Sequence, residues 1–90
     1  MKFECDDNKA TININKHKIS FQEAATVFGD PLAITFDDPD HSIGEYRQLT
    51  FGITRTGKYV IVTHIETNNT IRIISARHMT KRERRIYEEG

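Results

Sequence analysis

Basic side chains crowd the last twenty positions of this 90-residue chain, Ile71 to Gly90. The basic residues in this stretch are Arg72, Arg77, Lys81, Arg82, Arg84 and Arg85. Thr80 and Glu83 have the spacing of a capping box, which predicts a helix from about Lys81 and places Arg77 where a strand passes into that helix. A helix N-terminus attracts anions through its free N–H groups and partial positive charge. The strand end, the helix start and the basic side chains together predict an anion site, with phosphate as the natural ligand.

The two halves of the chain carry opposite charges, although the whole chain is neutral. Residues 1–45 hold four Lys and nine acidic residues and sum to −5, whereas residues 46–90 hold nine basic and four acidic residues and sum to +5. All seven arginines lie in the second half. A single Arg is most often solvated surface charge, but Arg also binds phosphate and carboxylate groups in a bidentate manner. The whole set therefore favours a polyanionic partner.

Two histidines are considered for a role in proton transfer, and their surroundings in the sequence differ. His64 lies near the end of an apolar strand, two residues before Glu66 and so on the same face, which is consistent with an oriented general base or with a packed strand histidine. His17 stands between Lys16 and Lys18 at the end of a predicted helix. There the helix dipole favours a histidine, and this reading is preferred over a catalytic one.

Motifs for metal or nucleotide binding do not occur. The chain has neither a phosphate-binding glycine loop nor a GxSxG nucleophile turn, and one Cys with four widely separated His residues gives no zinc-ligand spacing. An acidic loop offers oxygen ligands for a hard cation, but its Pro and polar composition is more typical of an ordinary turn. The loop residues in question are Asp37, Asp38, Asp40 and His41. We expect no metal and no cofactor.

Short alternating segments predict a single α+β domain over residues 1–90. The predicted order is β-α-α-β-β-β-β-α, with short turns that imply an antiparallel sheet and with the helices packed on one face. Asp6 or Asp7 caps a first helix over DDNKATININKHK, and the Ser20–Glu23 capping box begins a second helix that stops before Pro31. In the last strand, regular alternation predicts Ile71, Ile73, Ser75 and Arg77 on one face and Arg72, Ile74 and Ala76 on the other.

The chain contains nothing typical of a membrane or secreted protein. No apolar run approaches the roughly 20 residues that a membrane helix needs. The N-terminal stretch MKFECDDNKA turns acidic at once and lacks a signal-peptide core, and a lone Cys5 cannot form an internal disulfide. We expect a cytoplasmic protein.

In their order and spacing, these motifs resemble the BrnT family of toxins from bacterial type II toxin–antitoxin systems. DDNKA with NKHKISFQEAATVFGDPLA is similar to the opening helices of the family, and GEYR with FGIT is similar to its middle hairpin. THIE with IRIISARHMTKRERRIYE is similar to its closing strand and helix and is the most specific part. The chain departs from the family at Cys5, where Trp is common, at Lys18, where Gly is common, and at Thr67, where a basic residue is common.

The resemblance implies a RelE-like fold and a ribonuclease that cleaves RNA without a metal ion. It also implies a BrnA-type antitoxin, a ribbon-helix-helix protein that neutralises the toxin and binds DNA, so that the toxin meets DNA only through that complex. A metal-free ribonuclease needs a base for the ribose 2′-hydroxyl, cations for the charge on phosphorus and an acid for the leaving oxygen.

Within this implied reaction, Arg77 and Arg47 are the candidates for phosphate charge, and His64 is the candidate base or acid. Tyr87 is a candidate acid, base or helix anchor. The candidates for binding the RNA backbone are Arg72, Lys81, Arg82 and Arg85. The alternative is a non-catalytic module that binds RNA or an acidic protein through the same basic face.

Overall fold

The computed structural model describes residues 2–38 and 46–90 and confirms the α+β class. Its strands are β1 Lys2–Cys5, β2 Ile34–Asp37, β3 Gln48–Ile53, β4 Tyr59–Thr67 and β5 Thr70–His78. Its helices are α1 Asp7–His17, α2 Phe21–Ala24, a 3₁₀ helix Ala25–Gly29 that continues α2, and α3 Lys81–Glu89. No helix within the described residues is both long enough and apolar enough to cross a membrane.

The helices begin at the capping residues that the sequence predicts. The Asp6 carboxylate accepts from the backbone N–H of Asn8 at 2.8 Å and so starts α1. Ser20 accepts from the backbone N–H of Glu23 at 2.9 Å and starts α2. The Glu23 carboxylate does not complete the predicted capping box there; it pairs with Lys58 at 3.2 Å instead, which ties α2 to the beginning of β4.

The C-terminal cap of α1 is a lysine in a backbone conformation that favours glycine. Lys18 has φ of 61° and ψ of 31°, and its N–H donates to the carbonyl of Ile14. In this left-handed region the Cβ of a residue other than glycine crowds the backbone, at a cost of about 1–2 kcal/mol. Lys18 is therefore a strained helix cap, at a position where the family that the chain resembles commonly has Gly.

The five strands form one mixed sheet in the order β1-β5-β4-β3-β2. The pairs β5–β4, β4–β3 and β3–β2 are antiparallel, as predicted, but β1 pairs with β5 in parallel. The prediction of a wholly antiparallel sheet is therefore wrong for β1. Tight turns force antiparallel pairing only between strands that follow each other in the chain. Within the described residues, two helices, a 3₁₀ helix and three strands separate β1 from β5, so no short loop constrains their relative direction.

Helices cover both faces of the sheet, so the prediction that they pack on one face is wrong. The α1 face, which carries Val60, Val62 and Ile73, packs against α1, α2 and the 3₁₀ helix. The α3 face, which carries Phe51 and Ile61, packs against Tyr87 of α3. The physical reason lies in β4, where three successive residues, Val60 to Val62, are buried, and a strand that is apolar on both sides needs a cover on both sides.

A β-bulge in β5 changes which side chains share a face. Ser75 pairs with Thr63 and Ile73 pairs with His64, so Ile74 is an extra residue without a partner on β4. A bulge of one residue reverses the alternation beyond it. Arg77 consequently lies on the α3 face rather than with Ile71 and Ile73 as predicted, and it shares this face with Arg72.

The second half of β5 is a sheet edge that α1 covers. Pairing with β1 ends at Ile73. Beyond it, the buried amide of Asn13 in α1 accepts from the backbone N–H of Ala76 at 3.0 Å and donates to the carbonyl of Ile19 at 2.9 Å. Asn13 thus replaces the missing strand with side-chain hydrogen bonds and holds the end of α1 beside the end of β5.

Candidate functional site

Arg77 is held at the junction of β5 and α3 by a bidentate ion pair. Its Nη1 donates to Glu83 Oε1 at 2.7 Å and its Nη2 donates to Glu83 Oε2 at 2.8 Å. Nη1 also donates to the carbonyl of His78 at 3.3 Å. The Arg77 side chain is 42% exposed, so the guanidinium is both fixed and accessible.

Glu83 belongs at once to this pair and to the cap of α3. Its Oε1 accepts from the backbone N–H of Thr80 at 2.9 Å, and the hydroxyl of Thr80 accepts from the backbone N–H of Glu83 at 3.2 Å. The predicted capping box is therefore confirmed. The hydrogen bond from Arg77 is the largest cause that lowers the pKa of Glu83 to about 2, so at neutral pH the carboxylate is charged and bound.

Tyr87 anchors α3 to the sheet. It is 6% exposed, and its hydroxyl donates to Asp30 Oδ2 at 2.5 Å. The same carboxylate oxygen accepts from the backbone N–H of Ile53 at 2.9 Å, so Asp30 ties α3 to β3. Burial, followed by this carboxylate, raises the pKa of Tyr87 to about 12. The phenol is thus a poor proton donor or acceptor near pH 7, and of the predicted roles its geometry fits the anchor.

His64 is buried on the opposite face of the sheet from Arg77. It is 2% exposed, and its Nε2 shares a 2.7 Å hydrogen bond with the Thr50 hydroxyl. Its ring packs edge-on against the ring of Phe28, with 4.9 Å between the ring centroids. Burial lowers its pKa to about 4. Within the described residues its polar partner is Thr50 rather than the predicted Glu66. The sheet itself therefore separates His64 from Arg77 and Tyr87.

The other predicted residues lie on or around the α3 face. Arg72 is exposed and lies opposite Glu4 of β1 in the register. Arg47 immediately precedes β3, where the alternation places it with Leu49 on the α3 face. The exposed basic residues of α3 are Lys81, Arg82, Arg84 and Arg85. Arg72 and Arg77 thus lie on the face of the sheet that α3 covers.

His17 lies at the end of α1, on the α1 side of the β5 edge. It is half-buried at the end of α1 and lines a groove against Ser75 on the β5 edge. Burial is the largest cause that lowers the pKa of His17, followed by electrostatic interactions with Lys16, Arg77 and His78 in that order. Sequence spacing gives no signal for this grouping, because it depends on the contact between α1 and β5.

Within residues 2–38 and 46–90, no group of three or more His, Cys, Asp or Glu side chains is placed to hold a metal ion. The Asp40 and His41 part of the acidic loop lies outside the described residues.

Comparison with known proteins identifies the family. The model of the family described as ribonuclease toxin, BrnT, of type II toxin-antitoxin systems matches residues 5–83. This chain belongs to the BrnT family. The BrnT match runs from the last residue of β1 to the first turn of α3 and includes the whole Arg77–Glu83 ion pair, whereas Arg84, Arg85 and Tyr87 lie beyond it.

A solved BrnT structure shares the fold. The crystal structure of the Brucella abortus ribonuclease toxin BrnT is similar to this chain with a TM-score of 0.68 and 20% sequence identity, over 90% of this chain and 99% of that one. At this identity the likeness concerns the fold alone. No curated protein matches the chain. Membership of the BrnT family makes the chain a ribonuclease toxin of a type II toxin–antitoxin system, with RNA as the target and an antitoxin as the partner.

Proposed function

We propose that this BrnT-family chain cleaves RNA without a metal ion, at the surface where β5 meets α3, and that Arg77 is its main phosphate ligand. The observation that carries the proposal is the fixed and accessible Arg77 guanidinium. A cation that is already held in place can stabilise charge that develops in the transition state without reorganising at that moment.

The reaction is a transfer within the substrate. The ribose 2′-oxygen attacks the neighbouring phosphorus, a base takes the 2′-hydroxyl proton, and the 5′-oxygen leaves with a proton from an acid. The products are a 2′,3′-cyclic phosphate and a 5′-hydroxyl end. Arg77 and Arg47 supply positive charge to the non-bridging oxygens, which is the role that a metal ion has in other nucleases.

His17 is the proton-transfer group that fits this surface. Burial first, and then the charges of Lys16 and Arg77, lower the pKa of His17, which favours the neutral imidazole that can accept a proton. The buried His64, with its pKa of about 4, and the anchored Tyr87, with its pKa of about 12, instead hold the fold.

The remaining basic side chains bind the RNA backbone on either side of the reacting phosphate. They are Arg72, Lys81, Arg82 and Arg85. Arg72 precedes Arg77 by five residues on β5, which corresponds to roughly 16 Å along a strand, so the two can contact different phosphates of one RNA chain.

The antitoxin in this proposal is a BrnA-type protein with a ribbon-helix-helix fold. The family's type II designation supports a protein antitoxin. An acidic partner that covers the basic surface would block RNA and gain from the charge complementarity of the +5 half of the chain. Contact with DNA is then made by the antitoxin.

The test is incubation of the purified chain with RNA in the presence and absence of EDTA, followed by analysis of the product ends. We expect unchanged cleavage in EDTA and 2′,3′-cyclic phosphate ends. Arg77→Ala should slow cleavage by a few hundredfold, since removal of one preorganised donor typically costs about 3–4 kcal/mol of barrier. Arg55→Ala, at an exposed arginine in the β3–β4 turn, is the matched control.

Three results would contradict parts of this proposal. Loss of cleavage in EDTA would contradict metal independence. Normal cleavage by a folded Arg77→Ala variant would remove Arg77 from the site. RNA binding without any cleavage by the wild-type chain would favour the alternative of a non-catalytic binding module.

A further inference from the structure

The hydrogen bonds of Arg77 leave one specific edge of its guanidinium for a ligand. A guanidinium has five N–H donors in a rigid planar fork. Glu83 takes one donor from Nη1 and one from Nη2, and the His78 carbonyl takes the second donor of Nη1. The two donors that remain, on Nε and Nη2, point from the same edge of the plane, and among the described residues no side chain or carbonyl occupies them.

We propose that Glu83 is a positioning residue for RNA cleavage: it holds Arg77 by the Nη1/Nη2 edge and so presents the Nε/Nη2 edge to two oxygens of the reacting phosphate. This inference rests on the proposed function and specifies which N–H donors of Arg77 bind the phosphate of the substrate. The ligand is a phosphodiester bound through both non-bridging oxygens, a geometry that two parallel N–H donors match and an ammonium group does not.

Glu83 remains in place when a phosphate arrives because it is fixed from two sides. Besides Arg77, its carboxylate accepts from the backbone N–H of Thr80, and it lies in the first turn of α3, where the helix dipole stabilises negative charge. A phosphate that displaced Glu83 would leave the backbone N–H of Thr80 without this acceptor. A phosphate that binds the Nε/Nη2 edge leaves that hydrogen bond in place.

The bidentate Arg77–Glu83 pair, called the clamp below, affects the transition state more than the ground state. Glu83 offsets the formal charge of Arg77, so the pair attracts a distant phosphate less than a lone arginine would. The long-range attraction comes from the exposed cations of α3 instead. What the clamp contributes is orientation, and a small misplacement of a catalytic group costs about 100-fold in rate.

Glu83→Gln is the variant that separates the clamp from the helix cap. Glutamine at this position can still accept from Thr80, because a capping box works with Gln as well as Glu. Its amide has only one oxygen, however, and its NH₂ group opposes a donor of Arg77. We expect kcat to fall by about 100-fold with KM changed by less than about 3-fold, because the loss concerns orientation in the transition state rather than binding.

Thr80→Ala is the matched control. It removes the hydroxyl that caps α3 but leaves both Arg77–Glu83 contacts possible, so it should lower the melting temperature while kcat, measured well below that temperature, stays close to wild type. If Glu83→Gln acted only through the stability of α3, Thr80→Ala would reduce kcat as much, and that result would overturn the inference.

A double-mutant cycle with Arg77→Lys completes the test. Lysine keeps the charge but has no two-donor edge, so Arg77→Lys alone should be as slow as Glu83→Gln, and adding Glu83→Gln to it should cost nothing more. Additive effects would mean that Glu83 acts elsewhere. A higher kcat in Glu83→Gln would mean that the carboxylate blocks the phosphate instead of placing Arg77.

Failure of this inference is distinct from failure of the proposed function. If Arg77→Ala retains cleavage, both fall. If Arg77→Ala is inactive while Glu83→Gln keeps the wild-type kcat, the site stands and only the role of Glu83 is lost.

Discussion

Mild acid should destabilise this protein through a single buried imidazole. His64 is 2% exposed and its pKa is about 4 in the folded chain, whereas an unfolded chain has a histidine pKa of about 6.5. The unfolded state therefore takes up a proton at His64 before the folded state does. The stabilisation from His64 is complete above about pH 6.5 and is lost as the pH falls towards 4.

The magnitude follows from the difference between these two pKa values. A difference of one between the two pKa values corresponds to about 1.4 kcal/mol. The free energy of unfolding therefore falls by about 3 kcal/mol once His64 is protonated in both states, and by about 2 kcal/mol at pH 5. Domains of this kind are usually stable by only about 5–15 kcal/mol, so a change of this size is readily measured. Glu83, with a pKa of about 2, loses its contribution only as the pH falls from about 4.5 to 2, below this measurement.

The assay is urea denaturation of the wild-type chain and of His64→Gln at pH 7 and at pH 5. Glutamine can keep a hydrogen bond to Thr50 but cannot take up a proton, and every other ionisable group is common to both proteins. Between the two pH values, the wild type should lose about 2 kcal/mol more than the variant. Equal losses would show that His64 titrates normally in the fold, which would refute the burial argument and restore His64 as a candidate base.

Other measurements test separate parts of the structure. Tyr87→Phe should lower the free energy of unfolding by about 1.5–3 kcal/mol, because a hydrogen bond to the charged Asp30 is lost. The variant should still cleave RNA at temperatures where it is folded. Loss of cleavage in a folded variant would indicate a chemical role for the phenol. Lys18→Gly should raise the free energy of unfolding by about 1 kcal/mol by relieving the left-handed cap, and a lower melting temperature would contradict that strain. RNA affinity should fall by about 50-fold between 50 and 200 mM salt if about four phosphates are contacted, while an affinity that barely responds to salt would count against the basic surface as the RNA site.

Local signals in the sequence were sufficient for most of the helices and strands. Asp6, Ser20 and Thr80 each cap a helix with a side-chain hydrogen bond, and such bonds join residues two or three positions apart. The basic cluster was likewise visible, because charge is a property of composition and needs no fold. The family resemblance rests on the same short motifs.

The grouping of the candidate site was decided by the tertiary structure. The alternation of β5 alone placed Arg72 and Arg77 on opposite faces, and the extra residue Ile74 brings them to one face. A bulge depends on the pairing with β4, so the β5 sequence alone cannot reveal it. For the same reason, the apolar pattern of β4 indicated a buried strand but did not indicate that helices cover both of its faces.

The assignment of the histidines shows the same division. In the sequence, His64 has a carboxylate two residues away, whereas His17 stands only at the end of a helix. The pattern more typical of a general base therefore belongs to the histidine that the fold buries. Burial and long-range charge are sums over atoms that are distant in the chain: Phe28 and Thr50 enclose His64, while Arg77 and His78 act on His17 across the contact between α1 and β5. The sequence by itself determined which groups were available for chemistry. Only the packing of α1 and α3 against the two faces of the sheet decided which of them meet, because that packing sets both the solvent access and the electric field at each side chain.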